Sequence, residues 1–194
     1  MRRLLPLAIL VVPAAAAAQP APPMAITERA EPTNSINVSP LGIVFGSYAL
    51  TYEHLFAGQH GVIVEGIAAH SANDDSSQTQ FGGAVGYRWH WRGRQNSGFL
   101  GVMLAQGIGT GDVKVDDMTY GMTVRSTTVT GNIGKRWMIG PVNITGRIGL
   151  GYGHYTVEAK DDSQAAKDAE DTLNDLLTLL PIGFDGELSV GLVF

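Results

Sequence analysis

"GFDGELSVGLVF", residues 183–194, alternates between two kinds of residue along its length. One set of alternate positions is mostly apolar and finishes on an aromatic, whereas the other set contains the acidic Asp185 and Glu187. A period of two residues is typical of a β-strand, because successive side chains point to opposite faces of a sheet. The stretch therefore predicts a strand with one apolar face and one face of small and charged side chains.

Seven further runs with the same period precede this stretch. The first of them is interrupted at Pro40, which favours a bulge or a kink at the edge of a sheet, because proline cannot donate to a strand ladder. Together with the closing stretch they give eight predicted strands. The seven runs cover residues 36–45, 48–56, 61–70, 80–91, 99–108, 123–137 and 142–155.

The connections between the eight runs alternate in length. An even number of strands, with short turns at one end and long polar loops at the other, is typical of an outer-membrane barrel. We therefore predict an all-β fold, an eight-stranded antiparallel up-and-down transmembrane β-barrel. The short connections at one end are residues 57–60, 92–97 and 140–141. The connections at the other end are a tight turn at 46–47 and three longer loops, namely 71–79, 109–122 and the stretch after Thr156.

The two faces of the predicted strands differ in a way that indicates which one is outside. One face is continuously apolar, and the other is rich in Gly, Ala, Ser, Thr and Asn with charges of both signs. A soluble barrel would hold its apolar face inside around a ligand, whereas a membrane barrel turns it toward lipid. We predict the membrane arrangement rather than a sheet whose charges are solvated. The charges of the inward face then form a luminal cluster, which comprises Glu53, Glu65, Arg88, Arg136, Arg147, Asp185 and Glu187.

Aromatic residues concentrate near the ends of the predicted strands. Tryptophan and tyrosine favour membrane–water interfaces, where the ring is buried and the polar edge stays wet. This placement predicts two interfacial belts, rather than the aromatics of an ordinary core. The predicted belt residues are Tyr48, Phe56, Trp89, Trp91, Phe99, Trp137, Tyr152 and Tyr155.

The N-terminus reads "MRRLLPLAILVVPAAAAAQP" and has the layout of a secretory signal peptide. Two arginines precede a short apolar run, and an A-x-A site follows at residues 16–18; the run is too short for a membrane anchor. We predict a signal peptide over 1–18, a flexible periplasmic arm over 19–34 and an outer-membrane barrel over 35–194. Elsewhere in the sequence, no stretch has the 18 or so consecutive apolar residues of a transmembrane helix.

Composition excludes several classes of function. The formal net charge is -5, which argues against a nucleic-acid binder that relies on a basic surface. The sequence contains no Cys, so disulfides, thiolate metal sites and cysteine nucleophiles are excluded. We predict no cofactor and no metal site.

These features together resemble a known family. A signal peptide, eight amphipathic strands and a terminal aromatic in alternating register are similar to the small bacterial outer-membrane β-barrel proteins of OmpA/OmpX-like architecture. The segment "LGIVFGSYALTYEH" (Leu41–His54) also resembles the opening of an uncharacterised subgroup of bacterial outer-membrane proteins. The resemblance implies an outer-membrane location and, in the final strand, a signal read by the outer-membrane assembly machinery. The matching positions are Leu188, Val190, Leu192 and Phe194.

The predicted long loops are acidic. Residues 71–79, 109–122 and 156–180 carry 12 acidic side chains against three basic ones. Self-repelling solvated loops are one interpretation; carboxylates that hold divalent cations and bridge to lipopolysaccharide are the other. Either way, an extracellular partner could contact this acidic surface.

The last of these loops contains a segment with a different period. Apolar residues recur at intervals of three and four over 165–180, which predicts an amphipathic helix that ends before Pro181. The helix could cap the barrel mouth, lie on lipid headgroups or dock a partner.

Candidate catalytic pairs are weak. A lipid A deacylase would need a His and a Ser close together near the outer rim. His70 and Ser71 are adjacent and so point to opposite faces, while His154 has only Thr156 on its own face. "GIGTGD" (107–112) lacks the spacing of a phosphate loop. We therefore assign no catalytic residue.

The sequence favours a non-enzymatic outer-membrane barrel with a side-chain-filled polar lumen and a structural or surface-interaction role. The predicted partners are outer-membrane lipid, lipopolysaccharide and the assembly machinery. Two alternatives stay open: a narrow pore for ions or small solutes, and a lipid A-modifying enzyme.

Overall fold

The computed structural model describes residues 32–44, 46–72, 77–115 and 118–194. The predicted signal peptide and almost all of the predicted arm lie outside these residues. The elements in chain order are β1 (Asn34–Val38), α1 (Pro40–Val44), β2 (Ser47–Phe56), β3 (His60–Ala72), β4 (Ser77–His90), β5 (Gly98–Val115), β6 (Met118–Ile139), β7 (Val142–Ala159), α2 (Gln164–Leu179) and β8 (Ile182–Val193).

The eight strands form one closed barrel. Each strand pairs antiparallel with its neighbour in sequence, and β1 pairs with β8 to complete the ring. At this seam Ser35 lies opposite Val193, and Val38 lies opposite Val190. Closure removes every sheet edge at barrel level, which is the condition for a sheet to satisfy its backbone in lipid. The prediction of an eight-stranded antiparallel up-and-down barrel is confirmed.

In the closing strand β8, successive side chains point alternately to the outside and to the inside of the barrel. Phe184, Leu188 and Leu192 are exposed on the outer surface, whereas Glu187 and Ser189 point inward and are largely buried. The same alternation runs around the ring. The outer surface is therefore apolar, and the lumen contains small and charged side chains.

The first strand is shorter than the pattern predicts. β1 ends at Val38, and residues 40–44 form the single helical turn α1 instead of continuing the strand. Pro40 begins this turn, where its missing N–H costs nothing. The Ser39 hydroxyl accepts a hydrogen bond from the Gly42 N–H at 3.3 Å, as an N-cap residue does.

The predicted loop 109–122 is mostly strand. β5 and β6 continue as a hairpin in which Gly111 pairs with Met122 and Thr110 with Thr123, so this part of the prediction is wrong. Strand pairing satisfies the backbone hydrogen bonds of this segment. Its outward residues need not be apolar, because this part of the hairpin lies beyond the apolar band of the outer surface. Alternating hydrophobicity, the signal that reveals the other strands, is therefore weak in this segment.

Two predicted belt residues point into the barrel. Phe99 is fully buried inside, and Tyr155 is half-buried and contributes to an interior cavity. Phe99 follows the inward register of Gly101 and Met103, and Tyr155 follows that of Arg147. Their assignment to the interfacial belt is therefore wrong, because an aromatic near a strand end faces lipid only in the outward register.

The predicted helix is present as α2. Ser163 caps it by accepting a hydrogen bond from the Ala166 N–H at 3.3 Å. Ala166 packs with Tyr120, Met122 and Val157, which belong to the ends of β6 and β7. Three positions were predicted for the helix, and these contacts favour the one in which it caps the mouth of the barrel. No helix in the described ranges is long and apolar enough to cross a membrane.

α2 also supplies polar groups to β7 beyond the point where β8 stops pairing with it. The Asn174 side chain bonds both backbone groups of Val157: its Oδ1 accepts from the N–H at 2.8 Å, and its Nδ2 donates to the C=O at 3.0 Å. Glu170 accepts from the Ala159 N–H at 2.9 Å. The helix thus takes the place of a neighbouring strand for this edge.

Candidate functional site

The seven residues of the predicted luminal charge cluster all point inward, and the structure joins them in one network. Each strand from β2 to β8 except β5 contributes at least one of them. Six salt bridges link three arginines with four carboxylates at N–O distances between 2.5 and 3.3 Å. The network spans the barrel from wall to wall, because its members come from six different strands.

Glu53 is the centre of the lower part of the network, toward the short-turn end. Its Oε2 accepts from Arg88 Nη1 at 3.0 Å and from Arg136 Nη2 at 2.6 Å, while Oε1 lies 2.7 Å from His90 Nε2. The carboxylate has 0% exposure and the three partner side chains at most 1%. Burial of ions is costly unless they pair with good geometry, and here one carboxylate serves two guanidinium groups.

Glu187 and Arg147 connect this centre to the upper part. Glu187 accepts from Arg88 Nη2 at 2.5 Å and lies 3.3 Å from Arg147 Nη1. Arg147 Nη2 lies 2.8 Å from Asp185 and 3.1 Å from Glu65. Every carboxylate of the cluster therefore faces at least one arginine, and the lumen at this height is filled by paired charges.

A layer of neutral polar side chains continues the filling toward the short-turn end. Asn37 Nδ2 donates to Asn143 Oδ1 at 2.7 Å, and Asn143 Nδ2 donates back at 3.1 Å. Asn37 also bonds Ser189 at 2.9 Å, and Arg136 Nε donates to Thr145 at 3.0 Å. Hydrogen bonds thus tie the strands at the barrel seam to the charge cluster.

The lumen also contains apolar side chains, so it is not purely polar as predicted. Ile63 and Met103 pack together with Ala84. Phe99 lies under Arg88, whose guanidinium carbon is 4.3 Å from the ring centroid, and beside His90, at 5.4 Å between centroids. A guanidinium over a ring face is an attractive cation–π contact. Phe99 therefore supports the charge cluster from inside.

His90 and Gln95 also bond to the charge cluster, and the prediction did not include them. His90 shares the inward register of Arg88, so the alternation of β4 could have included it. Gln95 lies in the turn between β4 and β5, yet it is buried and accepts a hydrogen bond from Arg136 Nη1. A turn residue that folds into a barrel end carries no periodic signal, so sequence alone could not place Gln95.

The other predicted belt residues lie on the outer surface. Trp89, Trp91, Trp137 and Phe56 lie toward the short-turn end, and each is 40–44% exposed. Lys135 extends over the Trp137 ring at 5.2 Å. Near the opposite end, the exposed belt residues are Tyr48 and Tyr152. The four positions of the predicted assembly signal, Leu188, Val190, Leu192 and Phe194, are exposed on the same outer surface.

The structure brings no catalytic constellation together among the histidine candidates. His70 Nδ1 lies 3.0 Å from Thr79 Oγ1, not from Ser71. His154 is exposed and sits opposite Thr127 in the strand register. Within the described ranges, no group of three or more His, Asp or Glu residues could hold a metal ion.

The closed ring, the apolar exterior and the filled interior define a small eight-stranded barrel with a side-chain plug. Two solved structures resemble it. Acinetobacter baumannii CarO has 10% sequence identity and a TM-score of 0.48, and the match covers 84% of this chain and 98% of that chain. Acinetobacter baumannii CarO2 has 9% sequence identity and a TM-score of 0.46, and the match covers 84% of this chain and 99% of that chain. No protein-family model matches the chain, and no curated protein matches it either.

Proposed function

We propose that this protein is a non-enzymatic outer-membrane barrel of OmpA/OmpX-like architecture, with a structural or surface-interaction role. The observation that carries the proposal is the ion-pair network across the lumen. A closed barrel with an apolar outside suits lipid, and a lumen occupied by paired charges suits a scaffold better than a channel.

The exterior supports the membrane location. Outward side chains such as Val64, Val85, Leu104 and Ile133 are each 45–53% exposed, and they belong to a band that runs around the barrel. Soluble monomers rarely expose contiguous apolar patches above a few hundred Å². The tryptophans at one end and tyrosines at the other fit two interfaces. Lipid and lipopolysaccharide are therefore the proposed surroundings of the outer surface.

The filled lumen argues against the narrow pore. A conducting path would have to pass Glu53, Arg88 and Arg136, which are fully buried and bonded to one another. An eight-stranded barrel has an interior just wide enough for side chains. The alternative of a lipid A-modifying enzyme has no supporting observation, because His70 and His154 lack nucleophile partners of the expected kind.

The surface role rests on the long-loop end. α2 and its approach carry the acidic residues Asp161, Asp162, Asp168, Asp171 and Asp175, all exposed. An exposed acidic surface attracts cationic partners by long-range electrostatics. We propose this surface as the site of contact with an extracellular partner.

Membrane fractionation with gel electrophoresis tests the location, and planar-bilayer recording tests the plug. We expect recovery in the outer-membrane fraction, a mobility shift on boiling in SDS, and no discrete conductance steps from the wild-type protein. Recovery in the soluble fraction would refute the membrane location. Stable single-channel steps from folded protein would refute the plug and favour the pore.

Mass spectrometry of lipid A tests the absence of enzyme activity. We expect identical lipid A spectra from cells that express the wild type, His154→Ala or no protein. A new lipid A species that requires the wild-type protein and disappears with His154→Ala would contradict the proposal.

A further inference from the structure

A cavity of about 400 Å³ opens above the ion-pair network, at the long-loop end of the lumen. Its volume lies within the range of small-molecule sites, about 300–1,000 Å³. Part of its wall is the strand segment 107–111, which reads Gly-Ile-Gly-Thr-Gly. Because the period of the strand is two, Gly107, Gly109 and Gly111 occupy three successive inward positions, and none of them extends a side chain into the cavity.

The glycine at the middle of this segment is not required by packing. A Cβ at Gly109 would meet nothing closer than the Thr79 carbonyl oxygen at 3.7 Å, which is an ordinary contact. By contrast, a Cβ at Gly101, lower on the same strand, would come within 2.8 Å of the Tyr87 carbonyl oxygen. Gly101 is thus explained by close strand packing, whereas packing does not require a glycine at 109, and its lack of a side chain leaves the cavity open.

The lining of the cavity combines uncharged hydrogen-bonding side chains with a larger apolar surface. Gln78 and Gln80 of β4 contribute amides, Ser126 of β6 contributes a hydroxyl, and Met122 and Val124 contribute apolar surface. Amides and hydroxyls both donate and accept hydrogen bonds. This mixture matches a molecule that has both hydroxyl groups and a broad, less polar face.

The charges near the cavity disfavour ionic ligands. Among the described lining residues none is Lys or Arg, and the lining histidine, His70, is bonded to Thr79 at 3.0 Å, so an anion would find no permanent cationic partner. Asp112 is exposed at the rim, and Glu65 below is already bonded by Arg147 and Thr51. A cation would therefore gain little. A neutral ligand avoids the cost of moving a charge from water to an unpaired position.

Tyr155 gives the cavity a fixed aromatic wall. Its hydroxyl donates to the Ile182 carbonyl oxygen at 2.9 Å, which ties the side chain to the start of β8. Met122, on the neighbouring strand, is held by the contact with Ala166 of α2. Walls positioned in this way reduce the ordering cost of binding.

We propose that this cavity is a binding site for a neutral carbohydrate of about one sugar ring. Hydroxyl groups of the sugar pair with the glutamine amides and with Ser126, and the less polar face of the ring lies against Tyr155 and Met122. The site is a dead end, because the ion-pair network lies beneath it. Binding is therefore separate from the structural role and does not imply transport.

Isothermal titration of the full folded protein in detergent micelles tests the proposal, with D-glucose, D-galactose, N-acetyl-D-glucosamine and maltose as probes. We expect saturable 1:1 binding of at least one neutral sugar, and no binding of glucose 6-phosphate or glucosamine. Gly109→Leu fills the cavity and should weaken binding at least tenfold, and Gln80→Ala should weaken it several-fold. Gly131→Leu, which adds the same side chain on the outer surface where a Cβ meets nothing within 4 Å, should bind as the wild type does.

Each variant is first checked for heat-modifiability, so that loss of binding is not confused with loss of folding. Should Gly109→Leu fail to fold, Gln80→Ala and the amide chemical-shift changes of Gly107 and Ser126 in the wild type carry the test. No saturable binding of any of the four neutral sugars would overturn the proposal. So would undiminished binding by a folded Gly109→Leu, or equal binding of the charged analogues.

Discussion

Replacing Glu53 with glutamine removes the charge at the centre of the luminal network and keeps the shape of the side chain. Arg88 retains a carboxylate in this variant, because Glu187 lies 2.5 Å away. Arg136 does not, since within the described residues its only carboxylate partner is Glu53, and it keeps only neutral partners such as Gln95 and Thr145. The variant therefore leaves one guanidinium buried without a counter-charge.

The expected cost follows from this geometry. Removing one partner of a buried ion pair destabilises proteins by about 3–5 kcal/mol. For Glu187→Gln we expect about 1–3 kcal/mol, because Arg88 keeps Glu53, and Arg147 keeps Glu65. For Arg125→Gln we expect below about 1 kcal/mol, because its pair with Glu158 spans 3.7 Å and both side chains are more than half exposed.

Urea unfolding of the protein in lipid vesicles, followed by tryptophan fluorescence, measures these differences. All three tryptophans lie on the outer surface, 40–44% exposed, so their emission reports loss of the lipid-facing environment. The double variant Glu53→Gln/Arg136→Met removes both charges of the pair and should be more stable than Glu53→Gln alone. A free energy of unfolding for Glu53→Gln within about 1 kcal/mol of wild type, or a smaller loss than for Glu187→Gln, would refute the reasoning.

Three further predictions concern other parts of the molecule. Asn174→Ala removes both side-chain hydrogen bonds to the edge of β7 and should lower the local protection from hydrogen exchange by about 1–3 kcal/mol, whereas Thr178→Ala, on the same helix, should change this protection little. Protection in Asn174→Ala equal to that of the wild type would contradict the role of Asn174 at this edge. Phe194→Ala should reduce the heat-modifiable fraction in the outer membrane, whereas Phe184→Ala, on the same face of β8, should not, and equal fractions would remove the case for an assembly signal. Phe99→Ala should lower the free energy of unfolding in urea by about 3–5 kcal/mol, and a loss below about 1 kcal/mol would show that its luminal packing is unimportant.

The alternation of side chains predicted the number, order and closure of the strands, because lipid on one side and a narrow lumen on the other impose opposite polarity. The same signal fails where both faces of a strand meet similar surroundings. At the start of β5, Phe99 and Leu100 are both apolar, so hydrophobicity does not say which one faces lipid. The glycines that follow in the register of Phe99 are the signal that could have placed it inside.

The charge cluster could be predicted as a set, but its pairing could not. The inward register selects Glu53, Arg88 and Glu187, since a charge on the outer surface would face lipid. Which carboxylate meets which arginine depends on the stagger between strands that are far apart around the ring. The register of β4 could have added His90 to the set, but its pairing with Glu53 depends on that stagger as well, and the contact of Gln95 with Arg136 depends also on the conformation of a turn.

The seam between β1 and β8 has a consequence for timing. β1 has only five residues, and it pairs with the last strand of the barrel, whereas every other pairing joins neighbours in sequence. Neighbouring hairpins form after short loops close, but the seam closes a loop of almost the whole described chain, which is entropically the most demanding step. Until β8 is present, two strand edges remain open to pairing with other chains. Closure of the seam is therefore the last step of assembly, and it ends the time during which open strand edges can pair with other chains. A mutation at the seam should lower the yield of folded protein during biogenesis more than it lowers the stability of barrels that have already closed.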